Sequence, residues 1–258
     1  MSSIESQMFQ LLRILKDNHG AISLKSEFES EGATLEETVA LKQVADEIGL
    51  GFTIKIGGCE AIRDLRDIKQ LCPSAIVAPM IESSYALEKF VHAVKRVLGE
   101  KDLPELFINI ETVTGYRNFE SILFTHEASS LKGIVLGRSD MCASLGLNPD
   151  EVNSDKMQFF VNQLAEKTAH FGKLLTIGGR ISPQSLHMIK KIHSPALKRI
   201  ETRKVIFDFQ KLLLSKEPEK SIEKALLFEL LWLENKNIIN NEISDCDKKR
   251  IETIKSFI

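Results

Sequence analysis

The chain lacks paired cysteines, long apolar runs and a strong net charge. Its four cysteines show no Cys-x-x-Cys spacing, which argues against a zinc site and a disulfide framework and indicates a reducing, cytoplasmic environment. No apolar run reaches the roughly 18 residues of a membrane span, and the N-terminus lacks the pattern of a secretory signal. A net charge of -2 argues against general affinity for nucleic acid or an anionic membrane. These absences leave small molecules and copies of the same chain as the expected partners.

What the chain does contain is a regular alternation of short apolar runs and helical patterns. Seven runs have the length and composition of strands, at 21–29, 52–56, 75–82, 106–111, 133–137, 174–179 and 198–207. The first intervening helix pattern begins with a capping box in which Thr34 is followed by Glu37. This alternation predicts a parallel sheet covered by helices. Seven strands are close to the eight of a (β/α)8 TIM barrel, an α/β fold that we favour over a doubly wound open sheet.

The same pattern predicts the organisation of the chain. We expect an N-terminal helix over residues 1–20, a barrel over 21–215 and a C-terminal helical extension over 216–258. The extension contains KALLFELLWLENKNII, whose leucines make a broad apolar face around Trp232. One interpretation packs this face on the outer wall of the barrel, and the other packs it on a neighbouring subunit. We also predict a homo-oligomer, either a trimer or a hexamer.

Two acidic residues follow the ends of successive predicted strands. Glu111 ends FINIE, and Asp140 lies three residues beyond GIVLG. In a barrel the carboxyl ends of the strands meet at one mouth, so these side chains are expected to lie close together. Two carboxylates with open coordination positions suit Mg²⁺ or Mn²⁺. The alternative is structural: Glu111 caps the following helix and Asp140 forms an Asx-turn.

Three segments carry a family resemblance. INIETVTG (108–115), GIVLGRSDMCASLG (133–146) and AIVAPMIESSYALEKFV (75–91) resemble the HpcH/HpaI aldolase and citrate lyase β-chain family. The likeness extends from about Ile22 to Ile181, and its most specific parts are Glu-Thr at 111–112 and Gly-x-x-Asp-x-x-x-x-x-Gly at 137–146.

The resemblance implies a barrel similar to that of pyruvate kinase, with a divalent cation bound by Glu111 and Asp140. It also implies cleavage or formation of a carbon–carbon bond in an α-keto acid or an acyl-CoA thioester, through an enolate. Backbone N–H groups of Gly137, Arg138 and Ser139 are then expected to bind the substrate carboxylate.

The chain departs from the family pattern at two places. Lys55 stands where aldolases of this family usually carry an arginine, so it supplies positive charge without a bidentate fork. KIGGCEA around it, with KSEFESEGA (25–33), resembles a subgroup of unsettled chemistry. The region after the first strand has no histidine to act as base. Glu29 or Glu27 is the candidate base, and the alternative is that these acids only offset the charges of Lys25 and Lys55.

The leading hypothesis is therefore a divalent-metal-dependent aldolase acting on a 2-keto acid such as pyruvate or oxaloacetate, with Lys55 stabilising negative charge. Three alternatives stay open at this point. The first is cleavage of a CoA thioester of the citryl-CoA or malyl-CoA type. In the second, Lys55 is a Schiff-base nucleophile with a depressed pKa. In the third, the barrel has lost its base and only binds a ligand.

Overall fold

The computed structural model describes residues 3–240 and 244–258. Met1, Ser2 and residues 241–243, which fall within the predicted N-terminal helix and C-terminal extension, lie outside the described residues. Eight strands form a closed barrel in sequence order, which confirms the predicted TIM-barrel fold. They are β1 (Ala21–Glu27), β2 (Gly51–Lys55), β3 (Ala75–Ala78), β4 (Glu105–Ile110), β5 (Leu131–Gly137), β6 (Leu174–Gly178), β7 (Leu197–Glu201) and β8 (Val205–Asp208).

Helices cover the outside of the barrel. Thr34 and Glu37 form the predicted capping box at the start of α2, because each side chain accepts a hydrogen bond from the other residue's backbone N–H. From β1 to β7 the strands alternate with helices, as the sequence indicated. The helices are α1 (Ser3–His19), α2 (Leu35–Ile48), α3 (Ile62–Ile68), α4 (Ser84–Leu98), α5 (Val113–Arg117), α6 (Phe119–Leu123), α7 (Arg138–Ser144), α8 (Asp155–His170), α9 (Ser185–Ile189), α10 (Phe209–Leu214), α11 (Pro218–Asn240) and α12 (Asp245–Lys255).

The last strand runs against the other seven. β1 to β7 pair in parallel, whereas β8 is antiparallel to both β7 and β1. The prediction of one strand over 198–207 was therefore wrong, since a turn at Thr202–Lys204 divides it into a hairpin. The turn contains no glycine or proline, and the Thr202 hydroxyl accepts a hydrogen bond from Val205 N instead. Because β7 ends at the mouth, the tip of this hairpin also lies at the mouth.

The barrel has one large core outside its sheet and a small one inside it. The outer core joins the outward faces of the strands to the helices. The inner one contains Ala75, Val77, Phe107 and Val135. At the amino-terminal end of β4, Glu105 accepts a hydrogen bond of 2.9 Å from Arg199, whose guanidinium lies over the Phe107 ring. These residues fill the lower part of the barrel and leave its upper part to polar groups.

The C-terminal extension consists of two helices that pack on the barrel of their own chain. α11 lies along α1, and the leucines around Trp232 are buried there except for Leu227. This agrees with the first interpretation of the apolar face, while packing on a neighbouring subunit stays a prediction. α12 returns toward the mouth, where Phe257 beyond its end lies against Arg180. Among the described residues, no helix combines the length and apolar composition that a membrane span requires.

We predict that the contact between α1 and α11 contributes to global stability. Leu12 is fully buried in α1, so Leu12→Ala is expected to lower the free energy of unfolding by about 2–5 kcal/mol. Leu214→Ala is the matched control. Because Leu214 is 85% exposed, this substitution should lower the free energy of unfolding by less than about 1 kcal/mol. Urea unfolding followed by circular dichroism measures both values. Equal losses in the two variants would contradict the packing described for α1.

Candidate active site

A cavity of about 420 Å³ opens at the mouth of the barrel. Its walls are formed by the carboxyl ends of β1, β2, β4, β5, β6 and β7, by the hairpin tip and by α12. Its volume is that of a small-molecule binding site. The predicted residues Glu27, Glu29, Lys55, Glu111, Gly137, Ser139 and Asp140 all line it.

Glu111 follows the last residue of β4 and is almost completely buried. Its Oε1 accepts a hydrogen bond of 3.0 Å from Met80 N, and its Oε2 accepts one of 2.7 Å from Asn109 Nδ2. A side chain at residue 137 would overlap Oε2, so Gly137 leaves the space that the carboxylate fills. Burial raises the pKa of Glu111 to about 7, and neighbouring Asp140 adds to this shift while Lys55 opposes it.

Asp140 lies in the first turn of α7 and is exposed to the cavity. Its charge acts on Glu111, as expected for carboxylates at the ends of adjacent strands. Asn109 Oδ1, two residues before Glu111, is buried and has no hydrogen-bond partner among the described residues. The described residues include no cluster of three or more His, Cys, Asp or Glu side chains arranged for a metal ion. Two carboxylates and an unpaired amide oxygen nevertheless fit a hard cation that keeps water or substrate oxygens as further ligands.

Lys55 ends β2 and lies among three carboxylates. Its Nζ is 2.5 Å from Glu29 Oε2, 3.5 Å from Glu27 Oε1 and 4.0 Å from Glu111 Oε2. Burial alone would lower the pKa of Lys55, but these three acids outweigh it and raise that pKa well above its usual value. The amine is therefore held as an ammonium ion, which disfavours the Schiff-base alternative.

Lys25 and Glu27 complete this group of charges. Lys25 Nζ donates a hydrogen bond of 2.5 Å to Glu201 Oε1 at the end of β7. Glu27 Oε1 accepts a hydrogen bond of 2.5 Å from Ser30 Oγ. Although burial would raise the pKa of Glu27, Lys25, Lys55 and Ser30 together lower it to about 2. Glu27 is consequently a stable carboxylate at neutral pH and a weak base.

Arg138 was expected to bind substrate together with Gly137 and Ser139, and its side chain lies elsewhere. The guanidinium is fully buried and donates hydrogen bonds to the carbonyls of Gly178, Gly179 and Val152. It thus ties the loop after β5 to the loop after β6. Only the backbone N–H of Arg138 stays a candidate for binding substrate, as predicted for this segment.

Several cavity residues were not among the predicted site residues. Asn109 and Lys25 share a strand face with Glu111 and Glu27, so the two-residue period of a strand would have indicated them. Glu201, at the end of β7, pairs with Lys25. Arg250 had no sequence signal, because its place at the mouth depends on the path of α12.

Comparisons with known proteins agree with this architecture. A family model described as HpcH/HpaI aldolase/citrate lyase matches residues 58–174. Among solved structures, an HpcH/HpaI aldolase from Desulfitobacterium hafniense DCB-2 is similar with a TM-score of 0.62 and 12% identity, over 78% of this chain and 82% of that one. An HpcH/HpaI aldolase/citrate lyase family protein from Burkholderia cenocepacia J2315 is similar with a TM-score of 0.59 and 11% identity, over 87% and 90% of the two chains.

A citrate synthase, SbnG, is similar with a TM-score of 0.55 and 15% identity, over 72% of this chain and 80% of that one. Such low identities establish a shared fold. A comparison with curated proteins gave no match. The narrower likeness of KIGGCEA to one subgroup stays a prediction. The match of the family model to residues 58–174 and the barrels of the same family among solved structures agree with the resemblance of this chain to the HpcH/HpaI aldolase/citrate lyase family.

Proposed function

We propose that this protein is a divalent-metal-dependent carbon–carbon lyase that acts on a 2-keto acid, such as pyruvate or oxaloacetate, through an enolate. The observation that carries this proposal is the buried carboxylate of Glu111 beside exposed Asp140 and the Lys55 ammonium. The relationship to aldolases and citrate lyases supports the same class of reaction.

Glu111 and Asp140 are the proposed metal ligands, and Asn109 Oδ1 is an unpaired oxygen next to them. Mg²⁺ or Mn²⁺ suits this set of oxygen donors. The bound cation would supply Lewis-acid polarisation of the keto oxygen. The backbone N–H groups from Gly137 to Ser139 are the proposed binders of the substrate carboxylate, and the position of Gly137 and Ser139 in the cavity lining supports this role.

Lys55 is the proposed stabiliser of the enolate. Its ammonium lies 4.0 Å from Glu111 Oε2, so it is close to the place where negative charge develops. Such preorganised charge in a partly dry site is usually a large contribution to catalysis.

Glu29 is the better candidate for the general base. Glu27, with a pKa of about 2, holds a proton poorly, whereas Glu29 lies in the loop after β1 at the open side of the cavity. In the retro-aldol cleavage of a 4-hydroxy-2-keto acid, the base removes the proton from the C4 hydroxyl. The C3–C4 bond then breaks, its electron pair enters the enolate, and an aldehyde leaves. Protonation at C3 returns the 2-keto acid.

Two alternatives keep specific support. Cleavage of a CoA thioester remains within the family named by the matching model, and the citrate synthase among the similar folds is loosely consistent with it. A ligand-binding barrel without turnover is favoured by the 2.5 Å contact of Glu29 with Lys55, which occupies the candidate base. Cytoplasmic location and a trimeric or hexameric assembly stay predictions.

The first prediction concerns the metal. Exchange of pyruvate methyl protons with D₂O, followed by NMR, reports enolate formation without a second substrate. We expect exchange that EDTA abolishes and Mg²⁺ or Mn²⁺ restores. Replacing both proposed ligands, Glu111→Gln with Asp140→Asn, should slow the exchange of the methyl protons at least about 100-fold, because metal stabilisation of the enolate is worth several kcal/mol.

Asp150→Asn is the control for this pair, since Asp150 is exposed and outside the cavity. Full exchange activity in the double variant would exclude the proposed metal site.

The second prediction concerns Lys55. Lys55→Met should lower the exchange rate by about 100-fold or more, because it removes the charge beside the enolate. Lys55→Arg should keep more of the rate than Lys55→Met. Lys42→Met, which removes a surface ammonium paired with Asp46, should leave the rate unchanged. Borohydride with pyruvate should give no adduct at Lys55, and trapping of such an adduct would replace the metal mechanism by a Schiff base.

The third prediction follows from the low pKa of Glu27. Its carboxylate stabilises the folded state fully above the ordinary pKa of about 4.5, and this contribution is lost as pH falls toward its folded pKa of about 2. Glu27→Gln should therefore lower the free energy of unfolding at pH 7 by on the order of 2–3 kcal/mol, and by less than half as much at pH 3. Urea unfolding at both pH values tests this.

Glu166→Gln, at an exposed position on α8, should change the free energy by less than about 0.5 kcal/mol. An equal loss at pH 7 and pH 3 in Glu27→Gln would contradict the ionic role of Glu27.

A further inference from the structure

The cavity lining contains charges of both signs. It includes two lysines and five carboxylates, which are Lys25, Lys55, Glu27, Glu29, Glu111, Asp140 and Glu201. It also includes three arginines, which lie beyond the strands, on two turns and on α12, and which we call the rim arginines: Arg180, Arg203 and Arg250. Carboxylates suited to a cation therefore share the cavity with three guanidinium groups.

The three rim arginines come from separate elements. Arg180 follows the Gly-Gly turn after β6, Arg203 is in the hairpin turn between β7 and β8, and Arg250 is on α12. Arg203 lies at the mouth because β7 ends there, and the return of α12 places Arg250 there.

The acidic partners of these arginines lie outside the cavity. Arg180 pairs with exposed Asp150, and Arg203 Nε is 3.6 Å from Glu31 Oε1. Arg250 makes a bidentate pair with buried Glu229, at 2.5 and 2.7 Å. None of Asp150, Glu31 and Glu229 lines the cavity, whereas Glu27, on which the charge of Arg203 also acts, does line it.

Each guanidinium also keeps donors for a ligand. Arg250 uses Nε and Nη2 on Glu229, and Arg180 uses Nη2 on Asp150. Arg203 makes no hydrogen bond within the described residues, and Glu31 is already paired with Lys204. Arg203 therefore carries the least compensated charge of the three. Guanidinium donors in this arrangement suit the oxygens of a carboxylate or a phosphate.

We propose that Arg180, Arg203 and Arg250 form an anion subsite that binds a carboxylate or phosphate group at the far end of the second substrate. The inference rests on the proposed function, which supplies both the 2-keto acid or its enolate and the second substrate. It predicts that the aldehyde substrate, whose chemical class the sequence did not indicate, is an anionic compound.

Arg203 gives the direct test. Succinate and inorganic phosphate are titrated into the full-length, EDTA-treated protein at low salt, and heat of binding is measured. Arg203→Gln should weaken both dissociation constants by about tenfold, the effect of losing a hydrogen bond to a charged group. Lys204 continues to neutralise Glu31 in this variant, so the fold loses no essential partner. Arg63→Gln, at an exposed site on α3 outside the cavity, is the matched control and should bind as the wild type does.

Arg250 requires a paired change, because its removal alone would leave Glu229 buried without its partner. Glu229→Gln with Arg250→Met removes both charges. This double variant should unfold near the wild-type temperature and weaken succinate or phosphate binding by a similar factor. The tighter of the two wild-type ligands identifies the terminal group as carboxylate or phosphate.

A parallel titration of oxalate with Mg²⁺ separates this inference from the proposed function. Arg203→Gln should leave oxalate–Mg²⁺ binding unchanged. If the wild type does not bind oxalate with Mg²⁺, the proposed metal enzyme is rejected. If the arginine variants also lose binding of succinate or phosphate, the anion subsite is still supported. The subsite is rejected if the wild type binds neither succinate nor phosphate, or if Arg203→Gln and the double variant bind both as tightly as the wild type.

Discussion

The upper half of the barrel depends on one group of buried ion pairs centred on Lys55. Removing an ammonium ion from water costs several kcal/mol unless carboxylates replace the lost hydration. Here Glu27, Glu29 and Glu111 surround Lys55 from three different loops and strand ends, and Lys25 pairs with Glu201 beside them. The same contacts that make the charges tolerable also fix the ends of β1, β2, β4 and β7 around one cavity. The residues that stabilise the mouth of the barrel are therefore the same residues that form the candidate active site.

The reversed eighth strand determines what lies above this group. A hairpin after β7 brings Thr202, Arg203 and Lys204 to the mouth, where a fully parallel barrel would have a strand-to-helix loop. The chain then leaves β8 at the opposite end, so α11 has to run back along α1 before α12 reaches the mouth. The buried pair of Arg250 with Glu229 holds α12 in that position. The hairpin and the path of α12 thus bring two of the three arginines to the cavity, and Arg180 reaches it from the turn after β6.

The sequence predicted the parts of the molecule that depend on local pattern. Periodicity indicated seven strands, the capping box placed the start of α2, and Glu111 and Asp140 were found because strand ends in a barrel share a mouth. The hairpin was missed because Thr202 makes the turn with its hydroxyl and no glycine or proline marks it. Arg250 was missed because long-range packing alone brings it to the cavity. The buried side chain of Arg138 likewise depends on carbonyl groups from two other loops.

The lysine at position 55 follows from the number of acids around it. A guanidinium forms its best pair with one carboxylate in the plane of its fork, whereas an ammonium ion is a compact charge with donors in three directions. Lys55 meets three carboxylates that come from different directions, at 2.5, 3.5 and 4.0 Å. An arginine would satisfy one of them well and leave the others less compensated. The lysine at position 55 is thus coupled to Glu27 and Glu29 on β1 and the loop after it, and these three residues form one feature of this chain.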